Sequence, residues 1–311
     1  MRLLLDITNE CNFACKTCIR EYHRGDNLSF KLLKNIYSQS KNFTFSEVSF
    51  TGGEPVLHPN FEEIVRITVK NNMKFSFVSN GYFINKYKFI LQKYKKFLTG
   101  ATFSLDGATK QIHDTIRQKG SYEKVLDSVN YFVKNKSYVY LTTCLNKLNK
   151  HHISRLIKLA IKLQVKGIKF TTAIETAYNK AIVLNDLEKL NCFLQINSCF
   201  NKHRNKINIY ISHALYTKGG LNFCSRMNEL STLTINPQGN ALFCCDTTGY
   251  GYIIGSLNKE SLLQIYEKYI QEISNLKKIR LQMIIKNKKI PGFNTCEFCN
   301  YYYKNLKNDH V

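Results

Sequence analysis

Leu3-Leu4-Leu5-Asp6-Ile7-Thr8-Asn9-Glu10-Cys11-Asn12-Phe13-Ala14-Cys15-Lys16-Thr17-Cys18 opens this chain, an apolar run followed at once by three cysteines. The run reads as a buried strand and the cysteines as a loop at its end. Three thiolates hold three irons of a cubane, whereas four saturate a [4Fe-4S] cluster. A compact set of three therefore points to one iron left open for a small ligand. Zinc is the alternative, because a structural zinc site wants four closed ligands, and His23 is the nearest candidate for the fourth. Spacing leaves both metals open.

The next strand candidate, Glu47 to Phe50, runs into Thr51-Gly52-Gly53-Glu54-Pro55. Paired glycines let backbone approach a ligand closely, and a carboxylate can receive an ammonium group. With both motifs in place, the chain resembles the radical S-adenosylmethionine (radical SAM) superfamily. The resemblance implies that Cys11, Cys15 and Cys18 hold a [4Fe-4S] cluster whose unique iron chelates the amino and carboxylate groups of S-adenosylmethionine (SAM). It assigns the methionine amine to the segment Gly52, Gly53, Glu54 and Pro55. One position departs from the pattern: the residue before the third cysteine is often aromatic in the family, and here it is Thr17.

A chain of 311 residues with 44% hydrophobic content can bury a sizeable core and divide into a large and a smaller domain. No apolar stretch approaches the ~20 residues that span a bilayer, and the N-terminus carries no signal-like region, so no membrane association and a cytoplasmic location are expected. The 11 cysteines, several in C-x2-C-type spacings without an export signal, read as metal ligands rather than disulfides. Cys144, Cys192 and Cys199 lie in apolar segments and read as packing residues. The net charge of +23 would suit a polyanion. It comes mostly from lysine spread over every segment beside many Asn and Ile, with little of the arginine suited to bidentate phosphate recognition. A nucleic-acid partner is therefore not expected, while an anionic substrate stays compatible.

From Arg2 to about Ser212, β-branched or aromatic runs alternate with segments of helical period, the signature of βαβ units around a parallel sheet. Strand candidates are Arg2 to Thr8, Glu47 to Phe50, Lys74 to Ser79, Gly100 to Leu105, Tyr138 to Leu145 and Gly167 to Ala173. Helix candidates are Ser29 to Gln39, Asn60 to Lys70, Asn85 to Phe97, Ser121 to Lys136 and Ile153 to Leu163. The expected class is α/β, a partial (βα)6 TIM-like barrel with a small C-terminal α+β auxiliary-cluster domain. Parallel barrels place their sites at the C-terminal ends of the strands, where the cysteine loop and the Gly-Gly-Glu segment both fall. By resemblance, Asn80 after strand three, and Ser104 and Asp106 after strand four, join the SAM contacts. Ordinary turn chemistry explains Asn80-Gly81 and Asp106-Gly107 equally. Arg117 occupies a place where many relatives carry an arginine near SAM, though pairing with Asp114 would also account for it. Thr171 and Thr172 could offer backbone groups to adenine.

Beyond about Tyr216 the rhythm stops and Cys224, Cys244, Cys245, Cys296 and Cys299 appear. Leu233 to Phe243 reads as a hairpin turning at Asn236-Pro237-Gln238-Gly239 and delivering Cys244, with a helix to follow from about Ser261. This order resembles the SPASM and shorter twitch auxiliary-cluster domains. The resemblance implies one auxiliary [4Fe-4S] cluster held by Cys224, Cys244, Cys296 and Cys299. Cys245 is left to pack or to donate a hydrogen atom to substrate, and the expected division is 1–215 and 216–311. A four-thiolate zinc knot fits the same spacing.

The resemblance implies reductive cleavage of SAM to a 5′-deoxyadenosyl radical and hydrogen abstraction from a substrate. A peptide undergoing cross-linking, oxidation or epimerisation is expected first, and a sugar-like or aminocyclitol substrate of a dehydrogenase or epimerase second. An electron donor such as a flavodoxin or ferredoxin is expected as partner. The chain starts at its first barrel strand without the added leader-binding domain that peptide-modifying relatives often carry, which keeps small molecules in play, although a separate leader-binding protein could serve a peptide substrate. A zinc-stabilised basic RNA-binding module would explain the charge, but not the Gly-Gly-Glu segment or the set of three thiols.

Overall fold

In the computed structural model of the chain, residues 1–19, 25–41, 43, 45, 47–215, 224, 231–244, 252–286 and 295–306 are described. Strand β1 (Arg2–Thr8) buries Leu3, Leu5 and Ile7 completely on one face and Asp6 and Thr8 on the other. It can do so because it lies inside the sheet, pairing in parallel with β2 (Glu47–Gly52) on one side and with β8 (Thr232–Ile235) on the other. A strand covered on both faces reads as a nearly continuous apolar run, which is the pattern that opens the sequence.

The parallel series continues through β3 (Lys74–Ser79), β4 (Leu98–Ser104), β5 (Val139–Leu145), β6 (Gly167–Thr172) and β7 (Asn208–Ile211). Helices α1 (Phe30–Ser40), α2 (Phe61–Lys70), α3 (Lys88–Lys93), α4 (Lys110–Ile116), α5 (Ser121–Lys134), α6 (Ile153–Lys162) and α7 (Asp186–His203) supply the crossovers. Apolar residues at helical spacing, such as Ile153, Leu156, Ile157 and Ala160 of α6, seal one face of the sheet. The result is the expected partial TIM-like barrel.

Several features differ from the sequence expectation. A seventh parallel strand, β7, extends the barrel past the expected six, pairing Gly167 with Asn208 through Phe170 with Ile211. Its four residues, Asn208-Ile209-Tyr210-Ile211, have β character but are only half-buried or exposed, and the run is short. Helix α7 also escaped the pattern, because Leu187, Leu190 and Leu194 face outward while Cys192 and Ile196 face the core, so no single stripe stands out. It nevertheless starts with a capping box between Asn185 and Glu188. The helix expected over residues 85–97 is reduced to a 3-10 turn (Ile84–Tyr87) and the six residues of α3.

The C-terminal hairpin forms as read. Asn236 accepts from Gly239 N at 3.0 Å, and Gly239 sits at φ +84°, where glycine is at ease. Its strands β8 and β9 (Asn240–Leu242), with β10 (Ile253–Ser256), do not make a sheet of their own. They extend the barrel sheet, giving the order β10-β9-β8-β1-β2-β3-β4-β5-β6-β7. What is separate is the core: Phe243, Tyr252, Tyr269, Phe298 and Tyr303 pack in a cluster apart from the main one. Helix α8 (Leu262–Ile285) and the short α9 (Thr295–Tyr301) enclose it.

Candidate active site

The cysteine loop is fastened to β2 by main-chain bonds. Gly53 N donates to Thr8 O at 2.8 Å and Glu54 N to Glu10 O at 2.7 Å. Both glycines are required by this seam rather than by room for a ligand. An added Cβ would lie 2.2 Å from Thr8 O at position 52 and 2.1 Å from Glu10 O at position 53. Gly52 also has φ +139°, outside ordinary side-chain territory.

At the C-terminal rim of the strands this seam bounds a cavity of about 330 Å³. Cys11, Cys15 and Cys18 stand on its wall together with Gly52, Gly53, Glu54, Asn80, Ser104, Arg117 and Thr171. Thr17 also lines it. Pro55 and Asp106 do not, and Thr172 lines a second, larger cavity of about 730 Å³ that also includes Cys296. Sequence reasoning missed Asn9, Thr142 and Cys144 as wall residues. The signal was present in β5, where Tyr140, Thr142 and Cys144 alternate with buried Val139, Leu141, Thr143 and Leu145. Cys144, expected to be a packing residue, belongs to the cavity face of that alternation. Cys192 does pack in the core, and Cys199 packs against it.

Glu54 is the buried anion of the site. Its carboxylate accepts from Ser79 Oγ at 2.8 Å and from Asn80 N at 2.6 Å, both at the end of β3. Burial pushes its pKa up to about 7, against the pull of those hydrogen bonds. Asn80 Nδ2 in turn donates to Asn12 Oδ1 at 2.9 Å, tying the cysteine loop to β3. A cationic group entering beside Glu54 would restore the charge balance that burial disturbs.

Asp106 lies behind the wall, not on it. Its Oδ1 accepts from Cys144 N at 2.7 Å, and its Oδ2 is 2.7 Å from Arg117 Nε. Burial opposes the Arg117 charge, but Asp106, Cys15 and Cys144 hold its pKa above the usual arginine value. Arg117 Nη1 points to Cys15 Sγ at 3.9 Å. Asp114, the other suggested partner, instead accepts from Gly120 N and Tyr122 N and starts α5. Beneath the pair, Asp106 N donates to His113 Nδ1 at 3.1 Å. Burial first, and then Arg117, push the His113 pKa down to about 3, so this ring is neutral.

The three thiols fit a site-differentiated cluster by placement and chemistry: they share one cavity wall with a buried carboxylate and a guanidinium. Burial raises Cys11, and raises Cys15 to about 12, so thiolates form there with metal rather than without it. In the C-terminal part, Cys224 and Cys244 pack against the aromatic core that contains Cys299, and Cys296 and Cys299 lie one turn apart on α9. Among the described residues no three His, Cys, Asp or Glu side chains converge as a single ion requires. Thiols of a cubane each take a different iron and need no such common point. His23 and Cys245 lie outside the described residues.

Residues 5–160 match the radical SAM superfamily profile, and residues 224–300 match SPASM, an iron-sulfur cluster-binding domain. The chain belongs to the radical SAM superfamily, as an enzyme with a SPASM domain. It accordingly uses a SAM-binding [4Fe-4S] cluster and an auxiliary cluster. An uncharacterized protein of Methanocaldococcus jannaschii, MJ0907, is 26% identical over 276 residues, covering 85% of this chain and 91% of that protein. The cysteine-type anaerobic sulfatase-maturating enzyme of Clostridium novyi is 28% identical over 196 residues, 56% of this chain and 51% of that enzyme. The chain thus aligns with about half the length of that relative. The crystal structure of Streptococcus suis SuiB bound to precursor peptide SuiA superimposes with a TM-score of 0.71 at 16% identity, covering 85% of this chain and 64% of SuiB. That likeness is one of fold. No helix among the described residues is long and apolar enough to cross a membrane.

Proposed function

We propose that the chain is a peptide-modifying oxidoreductase, a maturase that removes a hydrogen atom from a residue of a peptide substrate. Residues 1–215 would carry SAM cleavage and residues 216–311 the auxiliary cluster. The observation that carries the SAM half is the single cavity shared by Cys11, Cys15, Cys18 and Glu54. Relatives named for sulfatase maturation and for a precursor-peptide complex support the peptide half.

In this reading Cys11, Cys15 and Cys18 hold the catalytic cluster, and Cys224, Cys244, Cys296 and Cys299 the auxiliary one. When bound, the first cluster supplies the electron that breaks the sulfonium carbon–sulfur bond of SAM. Glu54 receives the methionine ammonium, its carboxylate aimed by Ser79 and Asn80. Asn80, Ser104 and Thr171 offer polar groups to the nucleoside from the strand ends. Asp106 acts through Arg117, which it orients. The apolar walls from Phe13 and Val78 exclude water from the reacting centre. Reducing equivalents would come from a flavodoxin or ferredoxin, and a separate leader-binding protein would present the peptide.

Anaerobic reconstitution tests this. About eight irons per chain are expected from two four-iron clusters, with 5′-deoxyadenosine released from SAM under dithionite. Replacing Cys11, Cys15 and Cys18 together by Ala should abolish that release and leave about four irons. Mass spectrometry of short peptides incubated with the reduced enzyme and SAM reads the second half. A change in a sugar-like alcohol, with every peptide unaltered, would overturn the choice of substrate.

A further inference from the structure

Helix α8 buries one apolar stripe, its first turns (Leu262, Ile265) in the main core and Tyr269, Ile273 and Leu276 in the second. The next place on that stripe is taken by Arg280, which is only 2% exposed and ranks among the largest buried side chains of the chain. Burying a guanidinium among aromatic rings is costly unless opposite charge meets it. Arg280 is aimed at the helix that carries two cluster cysteines. Its Nη1 donates to Thr295 Oγ1 at 3.2 Å, next to Cys296, and its guanidinium lies 5.3 Å from the ring of Phe298, next to Cys299.

We infer that Arg280 is the internal counter-cation of the auxiliary cluster, stabilising the thiolates that helix α9 carries and poising that cluster to accept an electron. This rests on the auxiliary cluster being held by the four cysteines of the proposed function. Four thiolates around a cubane leave a net anion, and that anion is what the buried cation answers. A positive charge beside it favours the reduced state, which carries one more negative charge, and so raises the reduction potential. The electron taken up would be the one lost by the substrate radical. The transfer forms and breaks no bond of the protein, and the substrate, oxidised by one electron, releases a proton to solvent as its closed-shell product forms. The same pattern recurs at the first cysteine set, where Arg117 points to Cys15.

The test uses the full chain carrying the Cys11, Cys15 and Cys18 to Ala replacements, so that only the auxiliary cluster is observed. R280M fills the stripe with an apolar side chain, and R280K keeps the charge. After anaerobic reconstitution, iron content and a redox titration followed by electron paramagnetic resonance are compared. R280M is expected to titrate at a more negative potential than its parent, and R280K close to it. R280M holding its full iron at the parent potential would overturn the inference. Should R280M lose its iron, retention by R280K supports a charge role, and loss from R280K as well overturns it. A parent with no C-terminal iron would instead sink the cluster assignment itself.

Discussion

Gly53 and Glu10 meet so closely that the cysteine loop and the second strand share one seam: a Cβ on Gly53 would lie 2.1 Å from the Glu10 carbonyl oxygen. That oxygen already accepts from Glu54 N, so the obstruction is backbone and cannot swing aside. G53A should therefore push the loop bearing Cys11, Cys15 and Cys18 away from Glu54. The expected cost is about 1–3 kcal/mol of stability, with loss of iron from the first cluster site alone. Denaturant unfolding and iron analysis check it, and an unchanged iron content would show that the seam is dispensable.

Glu54 can be neutralised without dismantling its surroundings. In E54Q the amide oxygen can still accept from Asn80 N, and the amide nitrogen can donate to Ser79 Oγ, so the fold should hold. What disappears is the anion offered to an ammonium group. SAM affinity is expected to fall at least about tenfold, equivalent to about 1.4 kcal/mol. Equilibrium binding to the anaerobically reconstituted protein measures this, and equal affinities would remove Glu54 from the contact.

D106N keeps an oxygen for Cys144 N but leaves Arg117 without its counter-charge at a place where the aspartate is wholly buried. Breaking one side of a buried pair costs about 3–5 kcal/mol. The variant should melt well below the parent. It should also bind SAM more weakly, because Arg117 is no longer oriented. Retention of both melting temperature and affinity would mean that Asp106 is only a turn residue.

His113 gives a pH dependence with a definite sign. Its folded pKa, about 3, lies below the ordinary value of 6.5. Its contribution is therefore complete above pH 6.5 and is lost as the solution is acidified toward pH 3, when the unfolded chain binds the proton more readily. This one group adds a slope of up to about 1.4 kcal/mol per pH unit in that window. In H113N the Oδ1 atom can replace Nδ1 as acceptor for Asp106 N without titrating. Melting curves between pH 7 and pH 4.5, values chosen to span roughly the expected window, should fall less steeply for the variant.

Much of the architecture was legible because it depends on local order. A strand buried on both faces must be apolar throughout, so β1 announced itself, and α2, α5 and α6 carried one-sided stripes that matched their observed spans closely. The pairs that fooled the pattern are those at the boundary with solvent. β7 is a half-exposed edge, and α7 has leucines on its outer face as well as apolar residues on its inner one. Cys144 was misread for a related reason: its segment is apolar, but the strand period puts it on the cavity side.

The sequence alone determined which chemistry the chain can assemble, because ligand types and spacing within one loop are fixed by covalent connection: three thiols after one strand, and Gly-Gly-Glu after the next. Only the tertiary structure decided who meets whom across long separations. It set the glycines against the cysteine loop, turned Asp106 away from the cavity and onto Arg117, joined the C-terminal hairpin to β1, and placed Arg280 against Thr295 and Phe298 of the cysteine-bearing helix α9. The physical reason is that burial and charge pairing depend on contacts between residues tens to hundreds of positions apart, and those contacts exist only once the chain has folded.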